Sequence, residues 1–165
     1  MPYERAWAVG EHDGILQRLI GNYKFERTKS AYKVLGDLLL DILPELPANT
    51  IIVPVPTVAS HIRERGYDHM LLIANYVAKA RGLQCKRLVY RLTNTKQRQA
   101  TARQRVMQAK QAFVVDSRQV DSVKPYLLLD DVITTGATVK YTSQALREAG
   151  AKHVWIAVIA RQTLD

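Results

Sequence analysis

Asp130 and Asp131 stand side by side at the end of an apolar run, Tyr126-Leu-Leu-Leu129. Val132 and Ile133 follow, and then a turn of small residues: Thr134, Thr135, Gly136, Ala137 and Thr138. Two adjacent carboxylates can accept hydrogen bonds from two vicinal hydroxyls, as on a sugar. They repel phosphate oxygens, so the sugar belongs to the acids and a phosphate to the turn. The threonines add hydroxyl donors, and Gly136 lets the backbone approach closely or take a positive φ. Val139, Thr142, Leu146 and Ala149 then recur at helical spacing, and the free N–H groups of a helix start favour a phosphate. Strand, acid pair, turn and helix together describe a socket for a ribose phosphate. The rival reading, a solvated surface turn, fits poorly, because acids placed directly behind four apolar residues are costly to bury without a purpose.

A second group is charged the other way. Val53-Pro-Val-Pro56 ends an apolar strand, and Arg63-Glu-Arg-Gly-Tyr-Asp-His69 leads into a helix. A loop opening at Val55, Pro56 and Thr57 lies on the same sheet edge as the acid pair and can offer backbone N–H groups to a diphosphate. Arg63 and Arg65 suit bidentate contact with it. Pro54 and Pro56 are equally well explained as the end of an edge strand. No G-x-x-x-x-G-K-[ST] and no G-x-G-x-x-G occurs, which removes the main support for P-loop and dinucleotide readings.

The elements that position these groups alternate. Thr50–Val55, Lys86–Leu92, Phe113–Val115, Tyr126–Leu129 and His153–Ala160 read as strands. A helix capped by Thr28 carries Leu35, Leu38, Leu39 and Ile42, and another runs from the cap Asp68 to the stop Gly82. Such alternation predicts an α/β fold: a central, mostly parallel sheet flanked by helices, with ligands at the carboxyl ends of its strands. Residues 1–49, with short strands or a hairpin over Arg5–Val9 and Ile15–Phe25, read as a hood within the same domain, and residues 50–165 as the core. Thr93–Arg105 is nearly devoid of apolar residues and is expected to be a loop or an exposed helix start.

At 165 residues, 47% of them hydrophobic and 24% charged, the chain has the size and make-up of one globular domain. Its apolar runs are too short for a bilayer span and Met1–Arg5 has no signal-like stretch, so the expectation is a cytoplasmic protein without membrane insertion. Cys85 is the sole cysteine, which excludes a disulfide framework and a thiolate zinc site built within this chain. His12, His61 and His153 are too scattered for a metal cage. The net charge of +9 is concentrated: no acid occurs between Asp68 and Asp116, whereas Lys79, Arg87, Lys96, Arg98 and Arg105 are among the cations there. That segment would attract a diphosphate or a nucleic-acid backbone.

Residues 126–138 resemble the 5-phosphoribosyl-1-pyrophosphate (PRPP) signature of type I phosphoribosyltransferases: four hydrophobics, two acids, two hydrophobics, Thr-Thr-Gly-Ala-Thr. Val-Pro-Val-Pro followed by Arg-Gly-Tyr-Asp-His resembles the Val-Pro-Val-Pro…Arg-Gly-Phe-Asn-Gln of the ComF competence-protein family, also called amidophosphoribosyltransferase-like. Tyr67, Asp68 and His69 then stand where that family has Phe, Asn and Gln; Asp68 brings a charge, and His69 keeps a donor. Thr95-Lys-Gln97, Arg105 and Gln111-Ala-Phe113 match the family's next segment more loosely, and Leu19–Phe25 resembles its Leu-Lys-Tyr stretch, placing Lys24 near the hood. Many members open with a four-cysteine zinc ribbon; this chain has none and reads as a short form, or one whose ribbon lies on a separate chain.

The resemblance implies Mg²⁺-dependent transfer of a 5-phosphoribosyl group from PRPP to an unidentified acceptor. Asp130 and Asp131 would hold the ribose hydroxyls and reach the metal only through PRPP and water. Arg63, Arg65 and a lid cation, Lys96 or Arg98, would stabilise the departing pyrophosphate. Thr134 to Thr138 would anchor the 5-phosphate. A role in DNA uptake follows from family likeness alone. Two alternatives stay open: a non-catalytic PRPP sensor or single-stranded-DNA-binding competence factor working with DNA-uptake proteins, and a nucleobase-salvage enzyme. The aromatics of a stacking platform are few in the basic segment, where Tyr90 is the one example. A homodimer is also left open.

Overall fold

The protein, a computed structural model, is described over residues 1–25, 30–92 and 112–162. Strand β6 (Pro125–Ile133) occupies the middle of a five-stranded sheet. On one side it pairs with β2 (Ile51–Pro54), which pairs with the short β3 (Gln84–Cys85). On the other side lies β7 (His153–Arg161), and beyond it the edge strand β1 (Arg5–Glu11). Every pairing in this sheet is parallel. A parallel sheet is covered on both faces, which is why Leu127, Leu128 and Leu129 form an unbroken apolar run and are all fully buried.

Alternation with period two divides that run between two cores. Leu127 and Leu129 join Ile52, Ala157 and Ile159 under α1 (Gly14–Phe25), α2 (Ala31–Ile42) and α4 (His69–Arg81). Tyr126 and Leu128 join Val53, Ile156 and Val158 under α5 (Ala137–Glu148) and the antiparallel pair β4 (Val89–Arg91)–β5 (Phe113–Val115). The register Val53↔Leu128 and Pro54↔Leu129 ends β2 opposite the residue that precedes the acid pair of β6. Val55 N–H donates to Leu129 C=O at 2.9 Å, so the loop after β2 starts beside the acid pair.

Helix α4 has the expected ends, with Asp68 accepting from Leu71 N–H at 3.2 Å and Gly82 closing the last turn. Helix α2 buries Leu35 and Leu39 as expected. The cap expected at Thr28 lies outside the described residues; Ser30 occupies the N-cap position.

Four expectations are corrected. Residues 15–25 are helical, because Leu16, Leu19, Ile20 and Tyr23 fall at i, i+3, i+4 and i+7 and all enter one core. Residues 5–11 are a strand of the central sheet, paired Arg5↔Trp155 through Glu11↔Arg161, rather than part of a cover. Only Val89–Arg91 of the 86–92 stretch is a strand, and it pairs with β5 away from the main sheet. The loop after β2 contains a two-turn helix, α3 (Ala59–Arg65). Among the described residues no helix is long and apolar enough to cross a membrane.

Candidate active site

Asp130 and Asp131 lie toward the carboxyl end of β6, just past its last pairing with β2 and still beside β7. Asp130 is 8% exposed and its Oδ1 accepts from Asp131 N–H at 2.9 Å. Burial, with the Asp131 charge second, pushes the Asp130 carboxyl up to about 8. Asp131 is more engaged. Its Oδ1 accepts from Val132 N–H at 2.6 Å, and its Oδ2 meets His69 Nε2 at 2.8 Å and Lys24 Nζ. Burial alone would raise this carboxyl too, but the His69 hydrogen bond and the Lys24 charge outweigh it and hold the group well below its usual range. Burial thus favours the uncharged form of Asp130, while its partners favour the charged form of Asp131.

The turn after β6 keeps its donors toward solvent. Thr134 and Thr135 are exposed, Ala137 is exposed, and Thr138 is half-buried. Gly136 sits at φ 74°, a left-handed conformation costly for a side chain, and no side chain caps α5 there. Ala137 N–H has only a long 3.4 Å approach to Thr135 Oγ1. The α5 start therefore faces the acid pair's end of the sheet with donors to spare for an anion.

Opposite stands the loop after β2. Val55 is buried, Pro56 and Thr57 are half-buried, and the Thr57 hydroxyl donates to Asp68 Oδ1 at 3.1 Å. Arg63 and Arg65 are separated by two positions on α3 and so project from different faces of the helix. Arg65 turns inward, its Nη1 3.0 Å from His69 Nδ1, whereas Arg63 is exposed. The structure thus brings Asp130, Asp131, Thr57, Arg65 and the threonine turn to one sheet edge and leaves Arg63 outside that cluster. Lys96 and Arg98 lie outside the described residues.

Two participants received no site role from the sequence, which placed Lys24 only near the hood. Lys24, at the C-terminal end of α1, is the cation on Asp131. Tyr23 is buried beside it, donates to His69 C=O at 2.8 Å and packs edge-on to the His69 ring. The helical stripe from Leu16 to Tyr23 would have put both at the end of one helix. Within the described part of the basic segment, two arginines are engaged locally. Arg81 donates to the C=O groups of Leu40 and Leu43 at 2.9 and 2.8 Å, closing the end of α2. Arg91 lies over the Phe113 ring. Among the described residues, no group of three His, Cys, Asp or Glu side chains forms a metal cage.

Comparison with known proteins adds to this geometry. No known protein-family profile matches the chain. Competence protein F of Haemophilus influenzae is 26% identical over 168 residues, spanning 96% of this chain and 73% of that protein. The chain is thus similar to competence protein F over nearly its whole length, and its fold is that of type I phosphoribosyltransferases. Among solved structures, the glutamine PRPP amidotransferase of B. subtilis superposes on 78% of the chain with TM-score 0.56 and 21% identity. The allosteric regulatory enzyme of purine biosynthesis does so over 78% with TM-score 0.55 and 22% identity. Orotate phosphoribosyltransferase from Aeropyrum pernix matches 88% with TM-score 0.51 and 21% identity, over 64% of its own length. The chain spans about a quarter of the first two proteins, 26% and 25%. At such identities the likeness is one of fold.

Proposed function

We propose that this ComF-like chain binds PRPP with Mg²⁺ in the cytoplasm and transfers its 5-phosphoribosyl group to an acceptor, in a pathway serving DNA uptake. One observation carries the reading: an acid pair at the end of the central strand adjoins the uncapped start of α5 and faces a loop armed with Thr57 and Arg65. In the reaction the bond from ribose C1 to pyrophosphate breaks, the acceptor's lone pair bonds to C1, and the acceptor's proton leaves. Asp130 and Asp131 orient the sugar through its hydroxyls, the threonine turn holds the 5-phosphate, and Arg65 with Lys24 offsets the charge of the departing diphosphate.

The donor set fits Mg²⁺ held through ligand and water oxygens. Asp130 and Asp131 offer hard oxygen donors, and among the described residues too few protein ligands converge to bind the ion alone. When bound, the ion would neutralise diphosphate charge as the C–O bond breaks. Asp131→Ala is expected to abolish PRPP binding measured calorimetrically in Mg²⁺ buffer; unchanged affinity rejects the sugar role. Pyrophosphate release across a panel of bases and amines then identifies the acceptor. Release with one nucleobase alone favours salvage, and single-stranded DNA binding without turnover favours a competence factor.

A further inference from the structure

His69 is 5% exposed, yet both its ring nitrogens are occupied, and by different walls of the site. Nδ1 faces Arg65 Nη1 at 3.0 Å, and Nε2 faces Asp131 Oδ2 at 2.8 Å. A guanidinium has only donors. Nδ1 must therefore be the acceptor, which leaves the ring hydrogen on Nε2, pointed at a carboxylate that can only accept while ionised. Thr57 Oγ1 comes within 3.4 Å of Nδ1, but its proton is directed to Asp68 Oδ1 at 3.1 Å, so it does not compete with Arg65. A doubly protonated ring would set an N–H against the guanidinium. The local chain supports this single arrangement. Gly66, at φ 81°, turns the end of α3 back so that Arg65 meets the first residue of α4. Tyr23 fixes the His69 backbone through its hydroxyl and packs edge-on to the ring.

We propose that His69 is a positioning residue: a neutral ring, protonated at Nε2 alone, that ties Arg65 to Asp131 and so sets the spacing between the diphosphate wall and the sugar wall. The proposal rests on the PRPP reading above. Its chemical content is one acceptor and one donor on opposite sides of a rigid, buried side chain. A glutamine side chain presents the same pair, a carbonyl for Arg65 and an amide N–H for Asp131. A leucine presents neither and leaves a buried carboxylate and a guanidinium each short of a partner.

The test compares the full-length wild type with His69→Gln and His69→Leu, using calorimetric titration with PRPP in Mg²⁺ buffer. His69→Gln is expected to stay within about threefold of wild-type affinity, and His69→Leu to lose roughly tenfold or more, the usual scale for a hydrogen bond to a charged group. Urea unfolding checks that both variants are folded. If the leucine variant does not fold, nitrogen-15 NMR of the wild-type imidazole decides: the expected spectrum has a protonated Nε2 and an unprotonated Nδ1. Wild-type affinity in His69→Leu, equal losses in both variants, or a protonated Nδ1 overturns the proposal. Absence of PRPP binding by the wild type itself overturns the functional reading, and this inference with it, whereas wild-type binding with no Gln–Leu difference overturns the inference alone.

Discussion

Replacing Asp130 by Asn should make the protein more stable at neutral and alkaline pH. The Asp130 carboxyl is raised from 3.8 to about 8, by burial first and the Asp131 charge second. A group raised on folding holds its proton more tightly in the native state. Its contribution is complete below the unfolded value and is lost as pH climbs through the folded one. Across that window the native state binds up to one more proton than the unfolded chain, so stability falls by as much as ~1.4 kcal/mol per pH unit. By pH 7 the accumulated cost has a ceiling of roughly 4 kcal/mol. Asparagine avoids this cost while keeping an oxygen for the Asp131 N–H, which now bonds Asp130 Oδ1 at 2.9 Å. Urea unfolding of wild type and Asp130→Asn at pH 5, 6, 7 and 8 reads the effect, and taking the difference cancels the titration of groups that do not interact with Asp130. The stabilisation should grow with pH. A variant less stable than wild type at pH 8, or a difference that is flat from pH 5 to 8, would refute the account of a carboxyl kept uncharged by its surroundings.

How much could be read from the residues follows the range of each interaction. Helix α4 was legible because its signals are local: Asp68 caps, Gly82 stops, and Ile73, Ala74 and Val77 are fully buried between them. Strand β6 was legible because a sheet covered on both faces demands a continuous apolar run. The place of β1 was not, since its partner β7 lies at the far end of the chain and nothing within Arg5–Glu11 names it. The same limit applies to the site. The acid pair and the threonine turn are contiguous and were found together; Lys24 reaches Asp131 only after α1 has packed on the sheet. Two arginines two positions apart looked like one fork, but the helical form of α3 sends them apart. Asp68 read both as the N-cap that it is and as a charge where the family has Asn; its structural neighbours, the Thr57 hydroxyl and Arg87 at 3.4 Å, show how that charge is satisfied.

Two further substitutions probe how α1 and α2 are held. Lys24→Met removes the cation from Asp131, whose carboxyl is held low on folding, so its contribution is present above the ordinary carboxyl value and lost as pH falls. The variant should lose about 1.5 kcal/mol in urea at pH 7, the lower end for a charged hydrogen bond because Lys24 keeps some solvent contact, and the loss should fade only once pH falls below the lowered Asp131 value; Lys24→Arg should retain most of the stability, and equal losses in Lys24→Arg and Lys24→Met would refute an electrostatic role. Gly36→Ala sets two effects of opposite sign against each other in α2. Alanine improves helix propensity by about 1 kcal/mol, but its Cβ would stand 2.3 Å from Tyr76 Cδ1 and 2.9 Å from Cε1. That ring cannot retreat freely, because its hydroxyl donates to Asp37 at 2.6 Å and its edge packs on Tyr32. Overpacking of this kind costs roughly 1–3 kcal/mol, so Gly36→Ala should be neutral to destabilising in the wild type yet stabilising by about 1 kcal/mol once Tyr76→Ala has cleared the space. A double-mutant cycle in urea measures the coupling, and a Gly36→Ala variant that gains stability with Tyr76 still in place would show that the two helices are not packed ring against glycine.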